Sequence, residues 1–300
     1  MSRSALVTGV TGFIGGKLAE RLLRDGWTVH ALLRESGSDE GLPEGLRLHR
    51  HDGTVEGLTQ IVREAGPDIV FHLASLYLAD HRPDQVDALI ESNVGFPAQL
   101  AEAMTAAGAA RLINTGTAWQ HYRTDGYNPV NLYAATKQAC MDLLQYYHDA
   151  RGLSVITLKL FDTYGEGDKR RKLVQLLVDA ALSGETLEMS PGEQVLDLTH
   201  VEDVAEAFLV ASALLIGAAG PLNDEYLVSG ERLSVLDLAA LVESSLNLTV
   251  SVNPGARPYR RREVMDPIAP QGRMLPDWGN HRKLRAEIPS LIRSKHVERS

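Results

Sequence analysis

A glycine-rich loop joins the first apolar run of the chain to its first helical pattern. The run Ala5 to Thr8 is followed by the loop Gly9-Val10-Thr11-Gly12-Phe13-Ile14-Gly15 and by an amphipathic pattern over Lys17 to Asp25. A second apolar run, Thr28 to Leu33, completes a β-α-β pattern within about thirty residues. This order of a strand, a tight turn, a helix and another strand predicts the start of an open α/β sheet.

The loop has the composition that lets a backbone approach a pyrophosphate. Glycine permits the tight turn and the close approach, and the following helix begins with free N–H groups at the positive end of its dipole. The spacing G-x-x-G-x-x-G between a strand and a helix favours dinucleotide binding over a tight turn alone. We predict cofactor contacts from the loop residues Thr8, Gly9, Thr11, Gly12, Phe13, Ile14 and Gly15.

Strand and helix patterns continue to alternate through the first half of the chain. Further strands are predicted at Leu46 to His49, Ile69 to Leu73, Leu112 to Asn114 and Val155 to Leu160. Helices are predicted at Val55 to Ala65, Val86 to Ala107 and Leu132 to Ala150. Because parallel strands need such crossovers, we predict an α/β fold with a Rossmann-type doubly wound parallel sheet.

The pattern is less regular after Phe161. Helices are predicted at Lys172 to Ser183, Val201 to Leu215 and Val235 to Ser245, and strands at Leu196 to Leu198, Glu225 to Val228 and Val250 to Val252. We predict a cofactor domain over residues 1–162, to which segments near 196–230 return, and a smaller C-terminal α/β substrate domain over residues 163–300.

Composition restricts the partners of the chain. Its 300 residues carry 30 Lys and Arg against 39 Asp and Glu, a net charge of -9 that does not suit nonspecific nucleic-acid binding. No apolar run reaches the roughly 18 to 20 residues of a membrane span and no hydrophobic leader precedes the first strand, so we expect a cytoplasmic protein.

The single cysteine, Cys140, cannot form an internal disulfide and is expected to pack on a helix face. His49 and His51 share a strand face without a third ligand, so no metal is expected.

The end of the second strand indicates which dinucleotide is bound. A carboxylate there accepts the ribose hydroxyl of NAD, whereas a guanidinium binds the 2'-phosphate of NADP. Arg34 at this position favours NADP(H), although Glu35 one residue later leaves NAD open. Asp52 and Gly53 follow the third strand, where Asp52 is a candidate acceptor for the adenine amino group or simply a turn residue.

A phenol and an ammonium group lie four residues apart at the start of a long helical pattern. Tyr133 and Lys137 are expected one turn apart, where the positive charge would lower the pKa of the phenol toward the range of a general acid or base. Thr117 follows the predicted strand Leu112 to Asn114, at the carboxyl edge where open α/β sheets bind ligands. An amphipathic helix that carries Tyr133 and Lys137 by chance is the alternative.

Together these motifs resemble the extended short-chain dehydrogenase/reductases of the nucleotide-sugar epimerase/dehydratase group. The resemblance rests on the glycine loop, Pro67 to Ala74, Asn93-Val94, the Thr, Tyr and Lys set, and Leu196 to Ala205, in the family's order. It implies catalytic roles for Thr117, Tyr133 and Lys137, of which Lys137 would also bind the nicotinamide ribose. It also implies a structural role for Asn93 and cofactor contacts from Leu73, Ala74, Ser75, Tyr133, Lys137 and Leu160.

Within that group, the residues after Thr117 narrow the chemistry. Dehydratases carry an Asp-Glu pair there, whereas this chain has Ala118-Trp119 and so lacks those proton carriers. Stretches 114–122, 158–165, 189–194 and 257–265 resemble the CDP-abequose and CDP-paratose synthase branch. That resemblance implies an NADPH-dependent 4-ketoreductase acting on a CDP- or dTDP-linked 4-keto-6-deoxy sugar. The alternatives are a 4-epimerase that retains NAD and a noncatalytic NADP-binding redox sensor.

Substrate contacts are expected from the loop after Thr117 and from the second half of the chain. Relatives have a substrate-binding asparagine where this chain has Asp162, and a pyrophosphate-binding arginine where it has Leu196. The diphosphate is therefore expected at the arginine cluster Arg257, Arg260, Arg261 and Arg262, with Lys159 and Lys172 as lesser candidates. A solvated basic turn is the alternative interpretation of this cluster. The predicted substrate contacts are Thr117, Trp119, His121, Asp162, Lys172, Arg257 and Arg260. Relatives commonly dimerise, and the predicted helix Leu132 to Ala150 is the candidate contact for a homodimer.

Overall fold

The computed structural model describes residues 3–268 and 273–292 of the chain. Residues 1–2, 269–272 and 293–300, which the predicted domain boundaries include, lie outside the described residues. The strands are β1 (Ser4–Thr8), β2 (Thr28–Arg34), β3 (Arg47–His51), β4 (Ile69–His72), β5 (Arg111–Thr117), β6 (Ser154–Leu160), β7 (Asp162–Tyr164), β8 (Leu187–Met189), β9 (Val195–His200), β10 (Asn223–Val228), β11 (Glu231–Ser234) and β12 (Val252–Pro254). The helices are α1 (Phe13–Arg24), α2 (Val55–Ala65), α3 (Val86–Ile90), α4 (Phe96–Ala107), α5 (Leu132–Arg151), α6 (Leu173–Ser183), α7 (Val201–Gly217), α8 (Val235–Leu246) and α9 (Leu284–Glu287).

Seven of these strands form one sheet in the order β10-β6-β5-β4-β1-β2-β3, and every neighbouring pair in it is parallel. Central strands such as β6 are buried along their whole length, as a parallel sheet covered on both faces requires. Helices α1 and α7 pack on one face, and α2, α4 and α5 pack on the other. The predicted doubly wound α/β fold is therefore confirmed.

The second half of the chain builds two small sheets and also contributes to the large one. Strand β9 pairs with β7 in parallel and with β11 in antiparallel orientation, and β8 pairs with β12. Helices α6, α8 and α9 pack there around Leu177, Leu238 and Leu284. Strand β10 lies at the edge of the large sheet beside β6. Among the described residues, no helix has the length and apolar character needed to cross a membrane.

The predicted continuous helix Val86 to Ala107 is interrupted, so that prediction was wrong in its middle. Residues Glu91–Gly95 form a single π-helical turn between α3 and α4. Asn93 in this turn is buried, and its amide binds the backbone of Leu76 and the hydroxyl of Thr136. A π turn commonly marks such a local constraint, because its extra residue redirects a side chain.

Most of the remaining differences from the predicted elements concern strands, although α1 also begins at Phe13 rather than at Lys17. The last strand is β12, which begins two residues later than predicted, and the Val250 N–H ahead of it donates to the Glu243 carboxylate at 2.9 Å. The third strand begins at Arg47 and ends at His51, slightly later than predicted. Strands β7, β8 and β11 span only three or four residues each, too few to show an alternating pattern.

The order of the large sheet reverses at β1. Strand β2 pairs with β1 on one side and β4 pairs with it on the other. The loops that leave the carboxyl ends of β1 and β4 therefore run to opposite faces and leave a crevice between them. The glycine loop and the loop after β4 border this crevice, so the candidate site begins there.

Candidate active site

The glycine loop is packed so closely that two of its glycines cannot carry a side chain. Gly9 has a φ of +76°, and a Cβ there would lie 2.5 Å from the backbone N of Ala74. A Cβ on Gly15 would overlap the carbonyl of Gly9. These contacts bring α1 and the loop after β4, including Leu73 and Ala74, against the turn.

Helix α1 presents its N-terminal N–H groups at the crevice. Gly12 precedes the helix, and no side chain of the described residues caps its first turn. Thr11 and Gly12 are exposed, whereas Phe13 and Ile14 are half-buried. Free N–H groups at the positive end of a helix dipole fit a phosphate group. The arrangement fits a dinucleotide pyrophosphate.

Thr8 connects β1 with β4 through its hydroxyl. The Thr8 Oγ1 lies 2.9 Å from His72 Nδ1 and accepts the N–H groups of Leu73 and Ala74 at 3.2 and 3.1 Å. The hydroxyl is thus fully used within the protein. Thr8 shapes the crevice, and its predicted direct contact with a cofactor stays a prediction.

The imidazole of His72 makes the folded state sensitive to acid. Burial, reinforced by the charge of Lys137, lowers the pKa of His72 to about 3. In the unfolded chain this imidazole binds a proton below about pH 6.5, whereas in the folded chain it does so only near pH 3. The folded state therefore loses stability as the pH is lowered from about 6.5 to about 3. We expect His72→Gln to reduce the slope of the unfolding free energy against pH, between pH 6 and 4, by up to about 1.4 kcal/mol per pH unit. Urea unfolding across this range measures it, with the exposed His81→Gln variant as control; equal slopes in wild type and H72Q would contradict it.

The loop after β2 is held by an arginine from β3. Arg34 is exposed at the end of β2, beside the crevice. The Arg50 guanidinium donates to the carbonyl oxygens of Glu35 and Gly37 at 3.2 and 2.7 Å, which fixes the backbone after Arg34. Arg34 therefore stands on a braced loop, with its side chain open to solvent. The sequence patterns gave no indication of the role of Arg50.

Asp52 organises the start of α2. Its Oδ1 accepts the backbone N–H and the hydroxyl of Thr54 at 2.9 and 2.8 Å, and these hydrogen bonds lower the pKa of Asp52. Gly53 has a φ of +89° and forms the turn between them. The turn that was the alternative interpretation of Asp52 is present, and an additional adenine contact stays a prediction.

Thr117, Tyr133 and Lys137 come from the end of β5 and the start of α5. Thr117 is buried, and its Oγ1 accepts the N–H of Trp119 at 3.3 Å, which leaves the hydroxyl proton free to donate. The Nζ of Lys137 is buried below Tyr133, 5.9 Å from the ring centroid. Leu160 is the register partner of Thr117 in the sheet.

The pKa of Tyr133 does not shift in the predicted direction. Burial raises it above the ordinary value, while the hydrogen bond with Ser75 and the charge of Arg170 oppose that effect. Burial also lowers the pKa of Lys137 to about 8, so its ammonium is itself destabilised. The expectation that Lys137 lowers the pKa of Tyr133 was therefore wrong for the protein alone: desolvation of the phenolate is the largest cause of the shift, and Lys137 is not among the groups that oppose it. In this environment Tyr133 is a neutral phenol, suited to donate a proton.

Asn93 fixes the loop after β4 to the catalytic helix. Its Oδ1 accepts from the Leu76 N–H at 2.8 Å and the Ser75 hydroxyl at 3.1 Å, and its Nδ2 donates to Thr136 Oγ1 at 3.0 Å. The Asn93 amide is therefore engaged in hydrogen bonds within the protein. This is the structural arrangement that the family resemblance implies for Asn93.

An aromatic cluster borders Tyr133 on the open side. The ring of Tyr77 meets Tyr133 edge-on at 5.0 Å and lies 5.9 Å from Trp119. The ammonium group of Lys172 lies over Tyr77 at 4.6 Å and forms an ion pair with Asp162 at 3.2 Å. Three of the predicted substrate contacts, Trp119, Asp162 and Lys172, thus lie in one cluster, and their contact with a substrate stays a prediction. Tyr77 was missed, because it lies in an irregular loop without a recognisable pattern.

Arg170 reaches the cofactor side of the crevice from the second half of the chain. Its guanidinium lies over the Phe13 ring, 4.8 Å from the centroid, and pairs with Asp168 at 2.7 Å. It also donates to the carbonyl oxygen of Thr163 at 3.1 Å. No spacing in the sequence indicated that this loop meets the glycine loop.

A cavity of about 500 Å³ extends from Trp119 to the arginine cluster. Arg260, Arg261 and Arg262 line it, whereas Arg257 is exposed and does not line it. The guanidinium of Arg262 is already used, because it donates to Asn128 and lies 4.2 Å from the centroid of Tyr122. Arg260 and Arg261 are therefore the cluster members that the geometry offers to an anionic ligand, and Arg257 stays a prediction without a place in the cavity.

His121 lines the cavity, but both of its ring nitrogens are occupied. Nε2 lies 3.0 Å from Lys159 Nζ, and Nδ1 lies 3.2 Å from the carbonyl oxygen of Gly126. Lys159 is buried and also pairs with Glu225 at 2.8 Å. Lys159 is therefore not available to a diphosphate, and His121 offers its ring face rather than a free nitrogen.

Comparisons with known proteins agree with this arrangement. The model of the NAD dependent epimerase/dehydratase family matches residues 5–218. CDP-abequose synthase of Yersinia pseudotuberculosis is 29% identical over 265 residues, covering 87% of this chain and 90% of that protein. UDP-glucose 4-epimerase of Mycolicibacterium smegmatis is 28% identical over 228 residues, covering 69% and 72%. The solved structure of MoeE5 in complex with UDP-glucose and NAD is 26% identical, covers 99% of this chain and 100% of that one, and has a TM-score of 0.82.

Proposed function

This chain belongs to the NAD dependent epimerase/dehydratase family, and on that premise we propose that it reduces the C4 ketone of a nucleotide-linked 4-keto-6-deoxy sugar with NADPH. Similar proteins are named for reactions of CDP and UDP sugars. The similarity to CDP-abequose synthase extends over most of both chains and favours the reductase branch. CDP and dTDP sugars are the substrate candidates.

One observation carries the proposal: where dehydratases carry an Asp-Glu pair, this chain has Ala118 and Trp119, which line the cavity next to Thr117 in the chain. Tyr133 likewise directly follows a residue of the cavity wall, Leu132. Ala118 follows Thr117 and is buried, and Trp119 lines the cavity. The carboxylate of Asp162 at the same cavity is paired with Lys172 at 3.2 Å. The groups in place can bind and protonate a carbonyl oxygen, which is what ketone reduction requires of the protein.

Each catalytic side chain then has a defined task. The Thr117 hydroxyl donates a hydrogen bond to the ketone oxygen, and Tyr133 gives its proton to that oxygen as negative charge develops on it. The buried Lys137 ammonium stabilises the phenolate that remains. The nicotinamide cofactor, when bound along the glycine loop, supplies the hydride to C4. Tyr77 and Trp119 offer ring faces that suit the apolar side of a deoxy sugar.

The arginines at the far end of the cavity suit the diphosphate. Arg260 and Arg261 have no ion-pair partner among residues 3–268 and 273–292, and both line the cavity that begins at Trp119. Guanidinium groups bind phosphate bidentately, so this pair replaces the arginine that relatives carry where this chain has Leu196. The net charge of -9 is compatible with this role, because the positive charge is concentrated locally.

Arg34 supports NADPH as the cofactor. We expect Arg34→Leu to weaken NADPH binding by about 10- to 100-fold, because a charge-assisted contact with phosphate contributes about 1.5 to 3 kcal/mol. Binding of NADH, which lacks the 2'-phosphate, should change by less than about twofold. Fluorescence titration with both cofactors measures the difference. The control is Arg47→Leu, because Arg47 is exposed at the start of β3, whereas Arg34 lies beside the end of that strand. Equal losses for the two cofactors would contradict the assignment.

A 4-epimerase is the competing function, favoured by the similarity to UDP-glucose 4-epimerase and by the NAD bound in MoeE5. The two reactions differ in cofactor stoichiometry. A reductase consumes one NADPH for each ketone, whereas an epimerase returns its cofactor to the oxidised form in every cycle. We therefore test the function by incubating the protein with a panel of nucleotide-linked 4-keto-6-deoxy sugars and NADPH or NADH, followed by NMR of the product. Absence of hydride transfer to every 4-keto sugar would refute the proposal.

A further inference from the structure

A buried glutamine joins the strand that carries Thr117 to the helix that carries Tyr133 and Lys137. The Oε1 of Gln120 accepts the backbone N–H of Thr117 at 3.3 Å. Its Nε2 donates to Oε1 of Gln138 on α5 at 2.6 Å. Gln138 is the neighbour of Lys137 in the chain, and its own Nε2 donates to Asp142 at 2.9 Å. A continuous chain of hydrogen bonds therefore runs from Thr117 to the surface of α5.

The burial of Gln120 makes this chain of bonds consequential. Gln120 has an exposed fraction of 0%, and its amide makes its hydrogen bonds within the protein. Burying an amide costs free energy unless its donors and acceptors are paired. An apolar side chain of the same size would fill this space without that cost, so the hydrogen bonds of Gln120 are what distinguish it from a residue that only fills space. Met141 Sδ lies 3.4 Å from Nε2. The amide is thus oriented in one way, with the oxygen toward Thr117 and the nitrogen toward α5.

The short helical turn Ala118–Gln120 strengthens the constraint on Thr117. Thr117 precedes this turn, its Oγ1 accepts from Trp119 N–H, and its own N–H is bound by the Gln120 side chain. The backbone and the hydroxyl of Thr117 are therefore both fixed from the same turn. Displacement of Gln120 toward or away from α5 would move the hydroxyl relative to Tyr133.

We propose that Gln120 is a positioning residue that couples the Thr117 hydroxyl to the catalytic helix, through Gln138. Gln120 is fully buried and does not line the cavity, so it would act through Thr117 and α5 rather than by touching the substrate. Its effect is to hold two proton-handling groups from different elements in one geometry, and a displacement of about 1 Å in such a geometry costs up to about a hundredfold in rate. The proposal rests on the proposed function for its kinetic test, and a second measurement makes it independent of that function.

Two substitutions separate the hydrogen bonds from the space that the side chain fills. Gln120→Met keeps the length and removes both bonds, so kcat for ketone reduction should fall about tenfold or more while KM changes by less than about threefold. Gln120→Glu keeps both bonds only while its carboxyl is protonated, because the O–H then donates to Gln138. Its kcat should therefore be close to wild type at low pH and fall as the carboxyl ionises, a transition that wild type lacks. A residue that only fills space would show the loss in neither variant.

The partner and control variants test the coupling. Gln138→Met should lower kcat in the same direction, and the double variant should be no worse than Gln120→Met alone, because both changes break one chain of bonds. Gln145→Met makes the same change at an exposed position of α5 and should leave kcat unchanged. Additive losses in the double variant, or a wild-type kcat in Gln120→Met, would overturn the proposal.

Amide hydrogen exchange gives the second measurement. Without Gln120 the Thr117 N–H loses its acceptor, so exchange in the 115–120 segment should be about tenfold faster in Gln120→Met than in wild type and Gln145→Met. If wild type reduces no 4-keto sugar, the proposed function fails and this measurement alone decides the positioning role. Unchanged exchange in Gln120→Met would overturn the role whatever the reaction is.

Discussion

Tyr133→Phe is expected to lower kcat for ketone reduction by about 10²- to 10⁴-fold, because it removes the proton that the C4 oxygen must receive. The ring, its edge-on contact with Tyr77 and its position above Lys137 all remain in this variant. NADPH binding should therefore change far less than turnover. Stopped-flow reduction of the 4-keto sugar gives kcat, and fluorescence titration gives the cofactor affinity.

The same variant separates an enzyme from a protein that only senses the cofactor. A redox sensor needs to bind NADPH but transfers no proton, so it would lose nothing when the Tyr133 hydroxyl is removed. Tyr146→Phe is the matched control, since it deletes the same atom from the same helix at a ring that is 55% exposed. A Tyr133→Phe protein that keeps more than half of the wild-type kcat would contradict the assigned role.

The sequence predicted the parts of the site that depend on local order. The glycine loop between β1 and α1 and the spacing of Tyr133 and Lys137 in one helix are short-range patterns, and the parallel sheet follows from alternation. Thr117 could be placed at the carboxyl edge because a strand ends there. These features need no knowledge of which distant segments meet.

The features that were missed depend on contacts between distant segments. Tyr77 meets Tyr133 and Trp119, Arg170 lies over Phe13, and Arg50 braces the loop after Arg34. The sequence around each of these residues shows no hydrophobic periodicity or motif that would mark it as part of a site. The same limit applies to Gln120, whose role is visible only when its partners on β5 and α5 are known.

The direction of the Tyr133 pKa shift shows how burial changes a local argument. In the sequence, Lys137 one helical turn away suggested a lowered pKa. In the structure, the burial of Lys137 and of Tyr133 makes both charged forms unfavourable, and the pKa of Tyr133 is raised. Because a phenol with its ordinary pKa near 10 is also protonated at neutral pH, the raised pKa does not distinguish reduction from oxidation as the first chemical step.

Gly15→Ala should abolish most cofactor binding, with a loss of affinity of about a hundredfold or more. A Cβ at Gly15 would overlap the carbonyl oxygen of Gly9 and lie 2.7 Å from its carbonyl carbon. These atoms are backbone, so the overlap can be relieved only by moving α1 away from the glycine loop. Such a movement separates the N-terminal N–H groups of α1 from the pyrophosphate that they are built to bind. Fluorescence titration with NADPH measures the loss.

Gly16→Ala is the matched control, because it makes the same change at the next residue of the same helix. Alanine is favoured over glycine in a helix by about 1 kcal/mol, so both variants gain the same intrinsic helix stability. A Cβ at Gly16 would approach the carbonyl oxygen of Val10 at 3.3 Å, which a small adjustment can accommodate. Gly16→Ala should therefore bind NADPH nearly as well as wild type and unfold at the same or a higher temperature. If Gly15→Ala binds NADPH within threefold of Gly16→Ala, the close packing of Gly15 on Gly9 is not what forms the cofactor site.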